Sequence, residues 1–333
     1  MVPSFEELCA SLSLTEIIRL RDMLSRALLQ RFERPMAVAF SDVVGSTPYF
    51  TRFGDDAGRT LQLRHIDLVN QAIAPHEGRI VDTAGDGAFL AFPSADAAGL
   101  ALIELQKSVF TDNQPRPVDH RLSLRIGIHY GSVLTDGTLV SGDVVNFCAR
   151  VAASAHAAEI RISKDAFLAL TRADLRVQSS LLPLTNLKGV AKPAELFALH
   201  WRDRAVFPTS VLLETGEEYP IPEKDVISFG RLREQNGVPA NDIVLWCGDP
   251  LTTQQISRWH FELVRLLDGF VLRPTSSALT VVDGQLVKKG EEARVKPGSQ
   301  VRVADVLTLT FVSIDQQQEV DTNSTLFTPR AAS

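Results

Sequence analysis

No run of apolar residues in this chain approaches the roughly 18 that a helix needs to cross a bilayer. The opening Met1-Val2-Pro3-Ser4-Phe5-Glu6-Glu7 also lacks the basic start of a signal peptide. Neither export nor a membrane anchor is expected. Cysteine is scarce: Cys9, Cys148 and Cys247 are odd in number and far apart. This argues against a disulfide framework or a cysteine-built zinc site and points to a reducing cytoplasm. A strong excess of one charge is missing too. Lys and Arg number 34 against 40 Asp and Glu, a net charge of -6, so neither nucleic acid nor a membrane surface is an expected partner. No internal repeat is visible. What remains is globular in character, 45% hydrophobic and 22% charged. A length of 333 residues accommodates two domains of roughly 100–200 residues each.

The chain is organised around Ala37-Val38-Ala39-Phe40-Ser41-Asp42-Val43-Val44-Gly45-Ser46-Thr47. An apolar run followed at once by Gly, Ser, Thr and Pro48 predicts a short buried strand, a loop and a helix start. Asp42 stands inside the apolar run. Because a buried lone carboxylate is costly, it is neutral, paired, capping a helix or coordinating a cation. The Gly45-Ser46-Thr47 turn places backbone N–H groups at a helix start, where a phosphate is favoured.

Ahead of this strand, residues 14–32 carry Ile17, Leu20, Leu24, Leu28 and Phe32 among Arg and Glu. That is the spacing of an amphipathic helix capped by Ser13 or Thr15. It either packs on its own domain or serves as a dimerising or signal-passing helix. Beyond the strand, 48–73 reads as helical and 78–82 and 88–92 as strands. Between those strands, Thr83-Ala84-Gly85-Asp86-Gly87 is a hairpin turn with an Asp-Gly signal, and turn chemistry alone would account for Asp86. Residues 94–111 and 143–157 read as helices and 122–129 as a strand. Two strand-helix-strand passages with a hairpin predict a ferredoxin-like α+β sheet. After His200 short β-rich runs alternate with turn residues, the texture of an all-β sandwich. The expected division is a helical region at 1–33, an α+β domain at 34–200, a linker at 201–207, a sandwich at 208–315 and a polar flexible tail at 316–333.

Asn146 and Arg150, four apart in the 143–157 helix, share one face. A guanidinium suits a phosphoryl oxygen gaining charge, and an amide suits orienting a hydroxyl or ring oxygen; by themselves the two equally suit a surface ion pair or a cap. Four stretches, Phe40-Ser41-Asp42-Val43-Val44-Gly45-Ser46-Thr47, Thr83-Ala84-Gly85-Asp86-Gly87, Gly142-Asp143-Val144-Val145-Asn146-Phe147-Cys148-Ala149-Arg150 and Leu187-Lys188-Gly189, in this order resemble the class III nucleotide cyclases over about residues 34–200. This is the adenylate and guanylate cyclase catalytic domain. The resemblance implies attack of a nucleoside triphosphate's 3′-hydroxyl on its own α-phosphorus, with two divalent cations, Mg2+ or Mn2+, held by two carboxylates. It implies that Asp42 and Asp86, with the Val43 carbonyl, hold the metals. The backbone of Val44, Gly45, Ser46 and Thr47 would meet the β- and γ-phosphates, with Lys188 or Lys192 reaching the terminal ones. Asn146 would orient the ribose and Arg150 would stabilise the α-phosphoryl transition state. Since the family builds each site between two catalytic domains, a chain carrying all four residues is expected to be a homodimer, inactive as a monomer.

Two positions depart from the family's adenine-selecting pattern. Asp82 stands where adenylate cyclases commonly carry Lys, and Leu139, preceded by Thr138, where they carry Asp or Thr. An acid at Asp82 accepts N–H groups from guanine or from the adenine amino group, which Lys cannot do. Base choice stays open: ATP first as the family's commonest substrate, GTP close behind, then a pyrimidine triphosphate.

In the β-rich part, Phe229-Gly230-Arg231 at a strand end precedes Ile256-Ser257-Arg258-Trp259-His260. A planar cation with a hydroxyl donor suits a phosphate monoester; a solvated strand-end charge is the other reading of Arg231. Gly-Arg followed by Ser-Arg-x-His in a small sandwich resembles the forkhead-associated (FHA) domain over roughly residues 208–312. The resemblance implies phosphothreonine-peptide binding, with Arg231 and Ser257 on the phosphate, Arg258 flanking it and His260 bracing the loop. The family's next recognition loop usually reads Thr-Asn-Gly; here Ser277-Ala278-Leu279 stands ahead of Asp283-Gly284, and Ala278 lacks the amide that Asn turns to the peptide. Thr322, Thr325 and Thr328 in the tail make the chain's own phosphorylated tail an expected ligand beside a phosphorylated partner protein. Two functions follow: a cytoplasmic cyclase governed by a phosphothreonine-binding module, or a catalytically degenerate cyclase-like scaffold that recruits phosphoproteins.

Overall fold

The computed structural model describes residues 12–222 and 224–313; the tail with Thr322, Thr325 and Thr328 lies outside the described residues. The chain divides into two compact units, one through Trp201 and one from Arg202. Trp201 is buried in the core of the first and Phe207 in that of the second. Among the described residues no helix is long and apolar enough to cross a membrane.

Among the described residues the first element is α1 (Leu14–Phe32), where Ser13 is the cap used: the Glu16 amide donates to Ser13 Oγ and the Glu16 carboxylate accepts from the Ser13 amide at 2.8 Å. None of its residues is buried, and Leu14, Met23 and Leu24 are more than half exposed. α1 ends at Phe32 and β1 (Glu33–Val43) begins at the next residue. The helical stretch that follows is two helices, α2 (Ser46–Phe53) and α3 (Asp55–Ile73), because Gly54 between them adopts φ 83. The hairpin β2 (Arg79–Ala84) and β3 (Gly87–Phe92), then α4 (Ala95–Asn113) and β4 (Leu124–Thr135), complete the inner sheet. Its order, β2-β3-β1-β4, is antiparallel throughout. This is the ferredoxin-like arrangement that the sequence pattern predicts. Beyond it come β5 (Val140–Ser141), α5 (Asp143–Ser154), β6 (Ile160–Ser163), α6 (Lys164–Ala169), α7 (Ala173–Val177), β7 (Ser179–Leu181) and β8 (Leu196–Leu199). β6 joins β4 in parallel, and β8 and β7 extend that edge.

Side chains alternate along β1. Ala37, Ala39 and Val43 enter the main core with Leu61, Val69 and Leu102 of α3 and α4. Val38 and Phe40 face the other way, against Phe89 and Cys148. Asp42 belongs to this second face by its position. α5 lies directly on β4, since a Cβ on Gly127 would stand 2.2 Å from the Ala152 amide nitrogen. Gly127→Ala is therefore expected to destabilise the first unit by about 3 kcal/mol. A fall in Tm, together with reaction of the otherwise buried Cys148 thiol with a thiol reagent, measures it.

The second unit is a sandwich of two sheets. Its strands are β9 (Ser210–Leu213), β10 (Glu218–Pro220), β11 (Val226–Gly230), β12 (Glu234–Gln235), β13 (Val238–Pro239), β14 (Ile243–Val244), β15 (Phe261–Leu266), β16 (Gly269–Pro274), β17 (Thr280–Val282), β18 (Gln285–Leu286), β19 (Ala293–Val295), β20 (Gln300–Val303) and β21 (Leu307–Val312). One sheet runs β10-β9-β21-β20-β17-β18 and the other β14-β11-β15-β16-β19. Phe229 stacks on Phe261 within the second sheet and meets Phe311 of the first, at centroid distances of 4.5 and 6.3 Å. These rings sit in the single apolar layer that joins the two sheets.

Candidate active site

Strand register brings the two acids of the first unit together. β1 pairs with β3 as far as Ser41 opposite Ala88, so Asp42, one residue on, stands beside the β2–β3 turn that carries Asp86. The turn residues are Gly85 and Asp86, and only Gly85 has a positive φ, 63. This is the II′ pattern, so Gly85-Asp86 makes the turn in place of the expected Asp-Gly pair and Gly87 opens β3. His65 of α3, fully buried, marks the convergence. Its Nδ1 lies 2.9 Å from the Asp86 carbonyl oxygen and its Nε2 2.8 Å from Ser41 Oγ. Burial pushes its pKa down, opposed by the Asp86 carbonyl and by the Asp42 and Asp86 carboxylates, both close enough to act on it.

Asp42 is partly open, with its side chain 28% exposed, and of the four fates the sequence allowed it, pairing is the one observed. Its cross-strand partner is Arg125 of β4. Arg125 Nε donates to Asp42 Oδ2 at 2.8 Å and Nη2 reaches the same oxygen. Sequence reasoning missed Arg125. The available signal was a cation interrupting Leu124-Arg125-Ile126, but only strand register sets it opposite Asp42.

Val43 ends β1, and Val44 donates its amide to the Ser123 carbonyl at 2.8 Å. That bond removes Val44 from the expected phosphate-binding amides and leaves Gly45, Ser46 and Thr47. Gly45, at φ 76, caps α2 without a side-chain bond to its first turn, as an anion-binding helix start requires.

Asn146 and Arg150 lie on α5, whose Cys148, Val151 and Ala152 turn to the sheet. At about 100° per residue, the other two side chains leave from the opposite side of the helix, away from the strand that carries Asp42. Arg150 lies beside the Lys188–Gly189 loop: its Nη2 would be 3.6 Å from a Cβ on Gly189. Lys188 and Lys192 are exposed.

Asp82 follows a β-bulge at Val81 and pairs with Phe89, on the face that holds Phe40; it is exposed. Thr138 and Leu139 sit in the β4–β5 turn, where Asp136 accepts from the Thr138 amide and hydroxyl and from the Leu139 amide. Those bonds hold the Asp136 carboxyl at about 2. Arg79 Nη1 donates to the Thr138 carbonyl at 2.7 Å. The turn and Asp82 are thereby anchored to the same strand, β2. Leu139 is 70% exposed.

In the second unit, Arg231 follows β11 and its amide donates to the Ser257 carbonyl at 3.1 Å. Its Nε is buried without a hydrogen-bond partner. Gly230 is required there, since a Cβ would stand 2.2 Å from the Arg258 carbonyl oxygen. His260 is fully buried: its Nδ1 accepts from the Ser257 amide and its Nε2 lies 3.2 Å from the Leu279 carbonyl oxygen. Ser257 is half-buried, while Arg258 and Ser277 are exposed. One strand end thus brings Arg231 and Ser257 together, and His260 ties their loop to the Ser277-Ala278-Leu279 loop.

Residues 29–200, more than half of the chain, match the family described as the adenylate and guanylate cyclase catalytic domain. The chain belongs to that family. Residues 227–304 match the FHA domain. Among curated proteins, the putative adenylate cyclase 3 of Rhizobium meliloti (strain 1021) is 25% identical over 201 residues, 60% of this chain and 34% of that protein. An adenylate cyclase of Lachancea kluyveri is 28% identical over 180 residues, 46% of this chain and 10% of that protein. The chain thus spans about a third of the length of the first of these relatives and a tenth of the second. Among solved structures, an adenylate/guanylate cyclase/hydrolase from Silicibacter pomeroyi is 27% identical with a TM-score of 0.46, covering 50% of this chain and 97% of that one.

The cyclase unit's acids can be tested against the cations that the family implies. Among the described residues no group of three or more His, Cys, Asp or Glu is placed to hold a metal ion. A pair of carboxylates suits Mg2+ or Mn2+, which take one or two protein carboxylates and complete their shell with phosphate oxygens and water. It does not suit a resident zinc ion, which calls for three or four protein ligands.

Proposed function

We propose that this cyclase-family chain converts a nucleoside triphosphate, ATP first and GTP second, to a 3′,5′-cyclic nucleotide and pyrophosphate in the cytoplasm. It acts as a homodimer, and its FHA domain binds a phosphothreonine partner or its own phosphorylated tail. The observation that supports the reading is the bridge His65 makes from Ser41, the neighbour of Asp42, to the Asp86 carbonyl, in the unit whose α2 starts without a side-chain cap.

In the reaction the 3′-oxygen bonds to the α-phosphorus and the bond from that phosphorus to the α,β-bridging oxygen breaks. Pyrophosphate leaves with the electron pair, and the hydroxyl proton passes to solvent. Asp42, Asp86 and the Val43 carbonyl would hold the divalent cations, whose charge would offset that of the triphosphate and acidify the hydroxyl. Arg125 pairs with Asp42; displaced from it by a cation, the guanidinium has phosphate oxygens as its next acceptors. The Gly45, Ser46 and Thr47 amides bind the terminal phosphates, and Lys188 or Lys192, from the exposed loop beside Arg150, reaches those of the partner's substrate. Because Asn146 and Arg150 leave α5 away from their own Asp42, they serve the partner's substrate: Asn146 orients the ribose and Arg150 meets the charge developing on the α-phosphoryl group. Asp82, Thr138 and Leu139 select the base.

Incubation of the purified chain with each of the four ribonucleoside triphosphates and Mn2+ tests this. The expected result is a cyclic purine nucleotide and pyrophosphate in equal amounts. No cyclic product from any of the four would favour a scaffold that recruits phosphoproteins.

A further inference from the structure

His65 has no part in the chemistry above, yet it bonds the residue before one acid and the backbone of the other. It is fully buried and both ring nitrogens are engaged. Its partners assign the tautomer: a carbonyl only accepts, so Nδ1 carries the proton and donates to Asp86, and Nε2 accepts from the Ser41 hydroxyl. Ser41 is the residue before Asp42, so one imidazole links the strand of the first acid to the backbone of the second.

That link falls where the sheet offers none. The β1–β3 ladder ends at Ser41 opposite Ala88, and the Gly85-Asp86 turn projects past it. The β2–β3 ladder closes the turn at Ala84 opposite Gly87, but no strand bond ties the hairpin tip to β1 beyond Ser41, and a shift of that tip against β1 moves the Asp86 carboxylate relative to Asp42. An apolar residue in place of His65 would fill the core as well and tie nothing.

We infer that His65 is a positioning residue that sets the separation of the Asp42 and Asp86 carboxylates, through its Nδ1–H bond to the Asp86 carbonyl and its Nε2 bond to Ser41. This rests on the reading of those acids as cation ligands. Groups that orient metal ligands from behind typically govern metal affinity by about 10–100-fold, and His65 acts on the backbone of one ligand and the neighbour of the other.

The test uses the full chain with His65→Leu, His65→Asn and His65→Gln. Mn2+ alone is titrated and free ion is followed by electron paramagnetic resonance; the Mn2+ concentration for half-maximal turnover and the Tm are measured alongside. His65→Leu is expected to weaken Mn2+ binding about 10–100-fold, with turnover largely regained at saturating Mn2+. His65→Asn, whose Nδ2–H stands where Nδ1–H stood, recovers most of the affinity. His65→Gln, which reaches toward Ser41 instead, does not. A His65→Leu affinity within about twofold of wild type, or an Asn variant no better than Gln at equal Tm, overturns the inference. Should the leucine variant fail to fold, the Asn and Gln pair decides. Absence of cyclic product from the wild-type chain defeats the cyclase reading, while the Mn2+ titration still decides the role of His65.

Discussion

Asp42→Ala and Arg150→Ala chains, each at least about 10³-fold below wild type alone, are expected to recover about a quarter of wild-type turnover when mixed in equal amounts. Half of randomly formed dimers contain one chain of each kind, and each of these holds one site with both acids and Arg150 intact. The basis is the geometry of α5: its inner side is used up by Cys148, Val151 and Ala152 against the sheet, so the guanidinium points away from the acids of its own chain. The drop for Arg150→Ala reflects the loss of a well-placed donor to the transition-state charge, worth several kcal/mol; that for Asp42→Ala reflects the loss of a carboxylate that would hold the cations. Turnover in the mixture, with sedimentation to show that both variants still dimerise, is the measurement. Mixed dimers without activity would place all four residues in a site within one chain.

The FHA domain carries the second large effect. Arg231→Ala is expected to weaken binding of a tail peptide phosphorylated at Thr325 by about 100-fold or more, since a charge-assisted fork to phosphate is among the strongest single contacts available. Arg231 is prepared for it. Its backbone is held by Ser257, the chain behind it admits only glycine, and its Nε is buried without a partner. Arg231→Lys should recover little, because an ammonium cannot form the planar fork. Fluorescence anisotropy of the phosphorylated and unmodified peptides gives the result; equal binding of the two by the wild-type domain would end the phosphate reading. Ala278 removes an amide that the family turns to the peptide, so absolute affinity should be modest. Tethering on the same chain, at an effective concentration of about a millimolar, offsets that.

The fold was largely legible in the sequence because its signals are local. The apolar run before Gly45, the turn residues between Thr83 and Gly87 and the helical stretch that opens after Gly142 each announce their element, and the order of elements leads to the sheet; the turn's central pair, Gly85-Asp86 in place of Asp86-Gly87, was misplaced. Asp42 and Asp86 were singled out through motif order. Arg125 and His65 were not, for a physical reason: each matters through a partner far along the chain, Arg125 through strand register and His65 through a buried bridge from α3 to a turn. Arg125 looked like any charge in an alternating strand, and His65 like any polar residue in an amphipathic helix. Helix boundaries erred where a glycine overrode periodicity, as Gly54 does between α2 and α3. The amide of Val44 could not be discounted until its bond to Ser123 was seen.

The junction of α1 and β1 has a mechanical corollary. A 19-residue rod, about 28 Å long, is welded to the strand whose tenth residue is Asp42, and no hinge of glycine or loop absorbs torque between them. A quarter-turn imposed on the rod at Leu14 meets no such joint; it arrives on Glu33 to Met36, which β4 holds along one edge alone, before β3 closes the other edge from Ala37 to Ser41.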